Sequence, residues 1–360
     1  NRGTLTTSTG FVSMDTNGLV VLIVDGTDGY TFTISSSTLA TIADVDFPAN
    51  PEVCSVVDGY FHVIDSGTQR VYFSTTGTAW EALDFFSAEA TPDDLISMIG
   101  DHNELLLFGI TSTEVWRLIS TGWQIIDGAF IEHGCAAEGS VAKMDNSVYW
   151  LDNELFVRKL NGYTPVRVSD HSVEYRISQH TAAEILASTA FSYKAEGHSF
   201  YQITVGNETF TYDASTGRWH QRGYMVPISG EIIQHRAKCH AFFSGMNVVG
   251  DYDSGMLYEY DLDTYSDNGE EISAQWTYRH LDALGRRVTF HRFEMELETG
   301  IGLQSGQGSD PKIELRWSHD GGREWVNWKQ ADIGKIGKYR TRARWNWLES
   351  SFDRVFQNRI

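Results

Sequence analysis

The sequence predicts an all-β protein in which a β-propeller of about six blades is followed by an additional C-terminal β module. Three observations predict this fold. The 360 residues include 33 Gly but only 6 Pro, and 13% are aromatic, a composition that favours strands and tight turns over helices. Strand-rich units recur at spacings of 42 to 50 residues, which is typical of four-stranded blades. Within the units, apolar and polar residues alternate with the period of half-buried strands.

The clearest unit is Tyr193–Trp219. Ser199–Val205 alternates apolar and polar residues, Gly206-Asn207 supplies a tight turn, and Thr209–Tyr212 returns as a second strand. Such an antiparallel meander cannot bury its apolar face by itself, so it needs copies of itself or a partner sheet.

Six units share one order of elements: a short strand, a polar turn, an apolar strand, a second turn and an aromatic strand. They begin near Phe11, Cys54, Met98, Ser140, Ser188 and Lys238. In three of them the next strand opens with a Trp after a Gly, at Trp80, Trp123 and Trp219. The alternative architecture is a pair of β-sandwiches, whose strands recur every ~8–12 residues without a higher period. The longer period therefore favours the propeller.

Helix is expected only between units. Thr91–Met98 predicts one or two turns, with Asp93 and Asp94 near the start, and Thr181–Leu186 predicts another short helix.

The period breaks near residue 270. We therefore predict propeller blades over residues 1–269 and a basic β module over residues 270–360, which packs on the ring and contributes to its closure or to docking between subunits. The strands predicted in this module are Ile272–Arg279, Val288–Glu298, Lys312–Trp317, Trp325–Lys329, Lys338–Trp347 and Arg354–Ile360.

Charge is distributed unevenly along the chain. The net charge is −20, yet residues 311–360 contain 11 Lys and Arg against 6 Asp and Glu, whereas residues 1–310 contain 17 against 42. The excess of acidic residues in residues 1–310 argues against nucleic-acid binding by this part of the chain, because phosphates would be repelled. The basic end is suited to an acidic protein partner or to the acidic body of a neighbouring copy; a solvated strand with alternating charges is an equally simple interpretation.

One turn motif stands out in the C-terminal module. Ser318, Asp320, Gly322 and Trp325 match the Asp-box pattern S-x-D-x-G-x-x-W, in which the Asp side chain binds backbone amides and the Trp packs beneath the turn. Asp boxes brace the blades of sialidases without taking part in their chemistry, so the motif predicts a structural turn. The run from Gly334 to Lys338 is also interpreted as a turn.

No catalytic, cofactor or metal site is predicted. Cys54, Cys135 and Cys239 are isolated and are expected to be buried free thiols. The acidic runs Asp251–Asp253 and Asp261–Glu271 do not fit a calcium loop and are interpreted as solvated loops. The twelve His show no zinc spacing. The chain begins at Asn1 rather than Met, and we expect further residues upstream.

The end of the chain carries a family resemblance. The stretch WSHDGGREW (Trp317–Trp325), the run GKIGKYRTRARW that ends at Trp345 and the sequence DRVF (Asp353–Phe356) resemble the packaged DNA stabilisation proteins, the tail hub or nozzle proteins of short-tailed bacteriophages. Phe290–Gly302 and Gly250–Asp261 are similar to segments of the same family. The resemblance spans residues 248–360. The family's usual N-terminal segment has no counterpart here, so closure of the ring by it is not predicted.

The resemblance implies a structural function in the virion tail. Six copies would extend the channel of the portal and the head-to-tail adaptor protein, retain packaged double-stranded DNA, guide its ejection without sequence-specific binding, and carry tailspikes or tail fibres and the tail needle or plug. An acidic wall would let DNA slide, and basic residues of the C-terminal module would dock acidic surfaces. This candidate docking stripe comprises Arg316, Lys335, Lys338, Arg340, Arg342 and Arg344. The last four share one face if they lie on one strand.

Two alternatives predict different sites. A propeller-type glycan hydrolase needs Arg, Glu and Tyr side chains that converge at the propeller axis, but arginines outside the C-terminal module are scattered. A lectin-like, receptor-binding tail protein would instead expose Trp side chains in shallow pockets.

Overall fold

The computed structural model describes residues 2–77, 79–226, 229, 231–262, 264–306 and 308–360. The chain divides into two compact units after Thr264, whereas the sequence predicts the boundary after residue 269. In the described part, no helix is long and apolar enough to cross a membrane.

The first unit consists of antiparallel sheets arranged along the chain, five of four strands and a sixth of three. Sheets 1 to 3 contain β1 (Ser13–Thr16), β2 (Val20–Val24), β3 (Gly29–Thr33) and β4 (Thr38–Thr41); β5 (Pro51–Val57), β6 (Tyr60–Asp65), β7 (Arg70–Ser74) and β8 (Phe85–Ser87); β9 (Leu95–Asp101), β10 (Glu104–Gly109), β11 (Thr113–Ile119) and β12 (Gly122–Ile125).

Two short helices precede sheet 5. Sheet 4 contains β13 (Ala142–Met144), β14 (Ser147–Leu151), β15 (Val157–Asn161) and β16 (Thr164–Arg167), and is followed by α1 (His171–Ile177) and α2 (Ala182–Leu186). Sheet 5 contains β17 (Thr189–Ala195), β18 (His198–Val205), β19 (Glu208–Asp213) and β20 (Arg218–Arg222), and the pair β21 (Tyr224–Met225) and β22 (Ile232–Ile233) leads to sheet 6, with β23 (Ala237–Phe243), β24 (Met246–Asp251) and β25 (Leu257–Glu259).

Apolar clusters join each sheet to the next. Leu22 packs with Phe61 between sheets 1 and 2, Val57 with Leu105 between sheets 2 and 3, and similar clusters continue to sheet 6. The first strand of each sheet lies innermost, since β1 contacts β5, β5 contacts β9, β13 contacts β17 and β17 contacts β23. Each sheet thus covers the apolar face of its neighbour, as propeller blades do, and the predicted fold class is confirmed.

The helix predicted over Thr91–Met98 is wrong. Leu95 begins β9, and both Leu95 and Met98 are buried between sheets 2 and 3. Asp93 does not start a helix; its carboxylate instead accepts the backbone N–H of Thr111 at 2.6 Å. Tertiary packing therefore overrides the local helix signal.

The helix predicted over Thr181–Leu186 is confirmed as α2. Thr181 is its N-cap, and Glu184 completes a reciprocal capping box. The helix α1 was not predicted, although Asp170 caps it by accepting the N–H of Val173 at 2.9 Å.

The second unit is a β-sandwich of short strands. Its strands are β26 (Ser266–Asp267), β27 (Glu270–Glu271), β28 (Gln275–Thr277), β29 (Leu281–Asp282), β30 (Val288–Thr289), β31 (Arg292–Met295), β32 (Lys312–Ser318), β33 (Lys329–Asp332), β34 (Ala343–Asn346), β35 (Ser350–Ser351) and β36 (Asp353–Arg359). One sheet has the order β28-β36-β32-β33, and β31 pairs with β34 opposite it. Trp317, Trp345 and Phe356 pack in the core between these strands.

Several predicted strands of this unit are too long. The run Lys338–Trp347 is a strand only from Ala343 to Asn346. The chain turns before it, and the Thr341 hydroxyl donates to the Lys338 carbonyl at 3.2 Å. The hairpin partner of β32 is β33, which begins at Lys329, where the predicted strand ends.

Candidate interaction surfaces

The Asp-box turn has the geometry that its sequence predicts. The Asp320 carboxylate accepts the backbone N–H groups of Arg323 and Glu324, each at 3.0 Å, and the Ser318 hydroxyl accepts that of Gly322 at 2.8 Å. Gly322 has φ +98°, which a residue with a side chain rarely adopts. The bond to the Glu324 N–H lowers the pKa of Asp320 most, followed by the Ser318 hydroxyl. These contacts brace a turn.

Arg316 belongs to a ladder of guanidinium and indole groups. Its Cζ lies 4.7 Å from the ring centre of Trp325 and 4.5 Å from that of Trp328, and the Cζ of Arg359 also lies 4.5 Å from Trp328. Burial and then the neighbouring Arg359 lower the pKa of Arg316. The ladder ties the Asp-box turn to the sheet through cation–π contacts, so Arg316 is held within its own unit.

Three further residues of the predicted stripe are paired within the sandwich. Lys335 lies 3.7 Å from Asp310, and Arg342 and Arg344 lie 3.4 and 3.1 Å from Glu294. Hydrogen bonding to Arg344 is the main reason that the pKa of Glu294 is lowered.

Lys338 and Arg340 are exposed on a loop, and within the described residues neither has an ion pair. Of Lys338, Arg340, Arg342 and Arg344, only Arg344 lies in a strand. The prediction that these four residues share one strand face is therefore wrong. The exposed basic residues lie instead on the loop Lys335–Arg342, which we call the basic loop. Docking by this loop stays a prediction.

Two of the other predictions are corrected. Asp251 is not solvated: its side chain is fully buried and its Oδ2 lies 2.6 Å from Nη2 of Arg236. Cys54 and Cys135 are buried as predicted, but Cys239 is exposed on sheet 6. The residues around Cys239 do not indicate its exposure, because it depends on one face of this sheet having no sheet packed against it.

One group of side chains has metal-like spacing. His133, Asp152 and Glu154 bring ligand atoms within 4.8 Å of one another. However, the Arg158 guanidinium already bonds both carboxylates, through Nε to Asp152 and through Nη2 to Glu154 at 3.0 Å. A cation would have to compete with this charge, so the group is better described as a partly buried ion-pair network around the buried Asp152.

Phe11 brings together segments of three sheets. It packs against the cluster of sheets 2 and 3, and its ring lies close to Gly139, which bridges to Thr189 of sheet 5. The neighbouring Glu138 has its pKa raised to about 8, by burial and then by Glu52. None of the inner strands β1, β5, β9, β13, β17 and β23 contains an arginine.

A repeated aspartate, which the sequence analysis missed, closes the turn after the second strand in several sheets. Asp25 accepts the N–H of Asp28 at 2.7 Å, Asp152 that of Phe156 at 2.8 Å, and Asp251 that of Asp253 at 3.4 Å. This repeat can be seen in the sequence, because each of the three aspartates stands at the end of the second, apolar strand of its unit.

Comparison with protein families gives two matches that together cover nearly the whole chain. A family model described as bacteriophage P22 Gp10, beta-propeller, matches residues 3–265, and one described as bacteriophage P22 Gp10, beta-sandwich, matches residues 274–360. No curated protein matches the chain.

Two solved structures are distantly similar. A nidogen/laminin complex is 11% identical, with a TM-score of 0.38, and the match covers 62% of this chain and 81% of that chain. A catalytically inactive virginiamycin B lyase from Staphylococcus aureus with quinupristin is 8% identical, with a TM-score of 0.45, and the match covers 72% and 85%. Both scores lie below 0.5, so neither structure informs the activity of this chain.

Proposed function

This chain belongs to the bacteriophage P22 Gp10 family, and we propose that six copies of it form the tail hub that extends the portal and adaptor channel. Family membership gives it a structural role in the phage particle. The hub would retain packaged DNA, guide its ejection and anchor tailspikes or fibres and the tail needle. The observation that carries the proposal is the match of both units, propeller and sandwich, to one family.

The charge distribution supports this function. An acidic propeller repels phosphates, so DNA would pass it without sticking. The exposed Lys338 and Arg340 of the basic loop would meet acidic surfaces of neighbouring proteins, which favours fast and specific assembly. A glycan hydrolase has less support, because the inner strands carry no arginine that could hold a sugar carboxylate.

Native mass spectrometry of the purified chain, with and without the adaptor protein, tests the proposal. We expect a hexamer, or a hexamer that forms when the adaptor ring is added, and phage lacking this protein should lose packaged DNA from filled heads. A chain that stays monomeric in both samples, while mutant heads keep their DNA, would contradict the proposal.

A further inference from the structure

Sheet 6 has an exposed apolar face. Ala237 and Val249 point toward sheet 5 and pack against Phe191 and Tyr193. The opposite face carries Phe243, Met246 and Leu257, which are 69%, 37% and 70% exposed. Phe243 is paired with Met246, and Leu257 is paired with Gly250. Met246 and Gly250 are four residues apart in β24, so their side of the strand is the same. The three exposed residues therefore lie on one side of the sheet. We call this side the open face.

The open face is unusual within the propeller. Apolar clusters cover the junctions between successive sheets, from sheet 1 to sheet 6, but in the described ranges no cluster joins sheet 6 to sheet 1. Among the described residues, sheet 6 also has three strands where sheets 1 to 5 have four, and β25 is its last strand. Exposed apolar faces of this kind are typical of binding surfaces.

Two acidic side chains lie on or beside the open face. Glu259 lies on it two residues after Leu257, and Asp253, whose side chain is 69% exposed and whose Oδ2 lies 3.9 Å from Nη2 of Arg236, lies in the turn before β25. A partner that fits must therefore combine apolar side chains with positive charge.

The basic loop of the sandwich has this complementary character. Lys338 and Arg340 are exposed there, and Tyr339 and Ile336 between and before them are 70% and 49% exposed. Two such surfaces on one chain can join copies head to tail, and a head-to-tail contact that closes on itself forms a ring.

We propose that the open face of sheet 6 binds the basic loop of a second copy of this chain. This inference rests on the proposed function, since it names the contact through which the copies of the hub would be joined. Tyr339 and Ile336 cover Phe243 and Leu257, while Lys338 and Arg340 meet Glu259 and Asp253.

Charge-reversed variants test the contact by native mass spectrometry and sedimentation. D253K/E259K and K338E/R340E should each raise the dissociation constant of the assembly by about tenfold or more, because attraction becomes repulsion. The chain that carries all four substitutions should assemble again, since the charges are exchanged; this recovery also shows that the variants fold. The matched control is E81K/E89K, which reverses two exposed acidic residues on another part of the propeller.

Cross-linking separates a contact between copies from one within a chain. A mixture of ¹⁵N-labelled and unlabelled protein is treated with a carbodiimide, and the Glu259–Lys338 cross-link should join labelled to unlabelled peptides. Cross-links confined to one label, or full assembly of both double variants, would overturn the inference while leaving the hub function in place. A wild-type chain that stays monomeric, even with the adaptor, would instead overturn both.

Discussion

His62 is a buried, neutral side chain between sheets 2 and 3. Its ring lies edge-on to Trp123 with centroids 4.5 Å apart, and burial lowers its pKa from 6.5 to about 3. The unfolded chain binds a proton at this residue below pH 6.5, whereas the folded chain does so only near pH 3. The contribution of His62 to the free energy of unfolding is therefore fully present above pH 6.5. It decreases as the pH falls from 6.5 toward 3, by up to about 1.4 kcal/mol per pH unit.

We predict that His62→Leu lowers the slope of the unfolding free energy against pH between pH 6 and 4, by the amount that corresponds to about one bound proton. His220 and His235, whose pKa values are lowered to about 4, would still contribute. Urea unfolding at several pH values, followed by Trp fluorescence, measures the slope. The exposed His171 provides the control, and an unchanged slope in His62→Leu would contradict the assignment.

Arg354 is a buried charge in the sandwich core. It is fully buried, and its three guanidinium nitrogens find no hydrogen-bond acceptor within the described residues. The aromatic rings of Phe290 and Phe356 lie 4.7 and 5.4 Å from its Cζ. Such stacking satisfies the face of the guanidinium but leaves its N–H groups unpaired, and burial lowers its pKa.

We predict that Arg354→Met leaves the sandwich as stable as before or stabilises it by about 1–3 kcal/mol, because an unpaired buried group is removed and its volume is kept. Chemical denaturation measures the change. A loss of stability would show that the guanidinium has an acceptor, such as a bound water or anion.

At the scale of elements, the aspartate at the end of the second strand fixes the turn that follows it. In sheet 4, Asp152 accepts two backbone N–H groups, those of Glu154 and Phe156, and also holds Arg158. Both side chains of this ion pair are largely buried.

We predict that Asp152→Ala destabilises the propeller by about 3–5 kcal/mol, since it leaves the Arg158 charge without its buried partner. The double variant Asp152→Ala/Arg158→Met should recover part of the loss. Glu154→Gln serves as the control, because Glu154 is half exposed and exposed pairs contribute little. Equal losses in all three variants would contradict this account.

Elements with strong local signals could be predicted from the sequence. The alternation of Ser199–Val205 and the turn at Gly206-Asn207 specify β18 and β19 without help from the rest of the chain. The false helix at Thr91–Met98 shows the limit, because the burial of Leu95 between two sheets depends on distant residues.

The candidate interaction surfaces also divide into features that local sequence predicts and features that depend on distant residues. The Asp box was predictable because its bonds lie within seven residues. The pairing of Arg342 and Arg344 with Glu294 links segments far apart in sequence, and no local pattern reports it. The open face of sheet 6 is also a property of the fold, since it depends on which sheets find a neighbour.

At the scale of the whole molecule, the two units have separate hydrophobic cores. Trp317 is 1% exposed and belongs to the sandwich cluster, whose members all lie in the second unit. We predict that Trp317→Ala destabilises residues 265–360 by about 3–5 kcal/mol and leaves the propeller unchanged. Hydrogen exchange followed by mass spectrometry measures both units in one sample, and an equal rise in exchange across the propeller would contradict independent cores.

Phe11 has a consequence for any passage of DNA. The ring of Phe11 packs on the cluster between sheets 2 and 3 and also lies close to Gly139, which bridges to Thr189 of sheet 5, so we expect the duplex to pass beside the propeller of each copy and not through it. If the copies assemble as proposed, the bore is enclosed by the outsides of several propellers, and its width is a property of the number of copies. One subunit more or fewer would then change the clearance around the duplex along its whole circumference, so copy number itself would decide whether the genome is held or released.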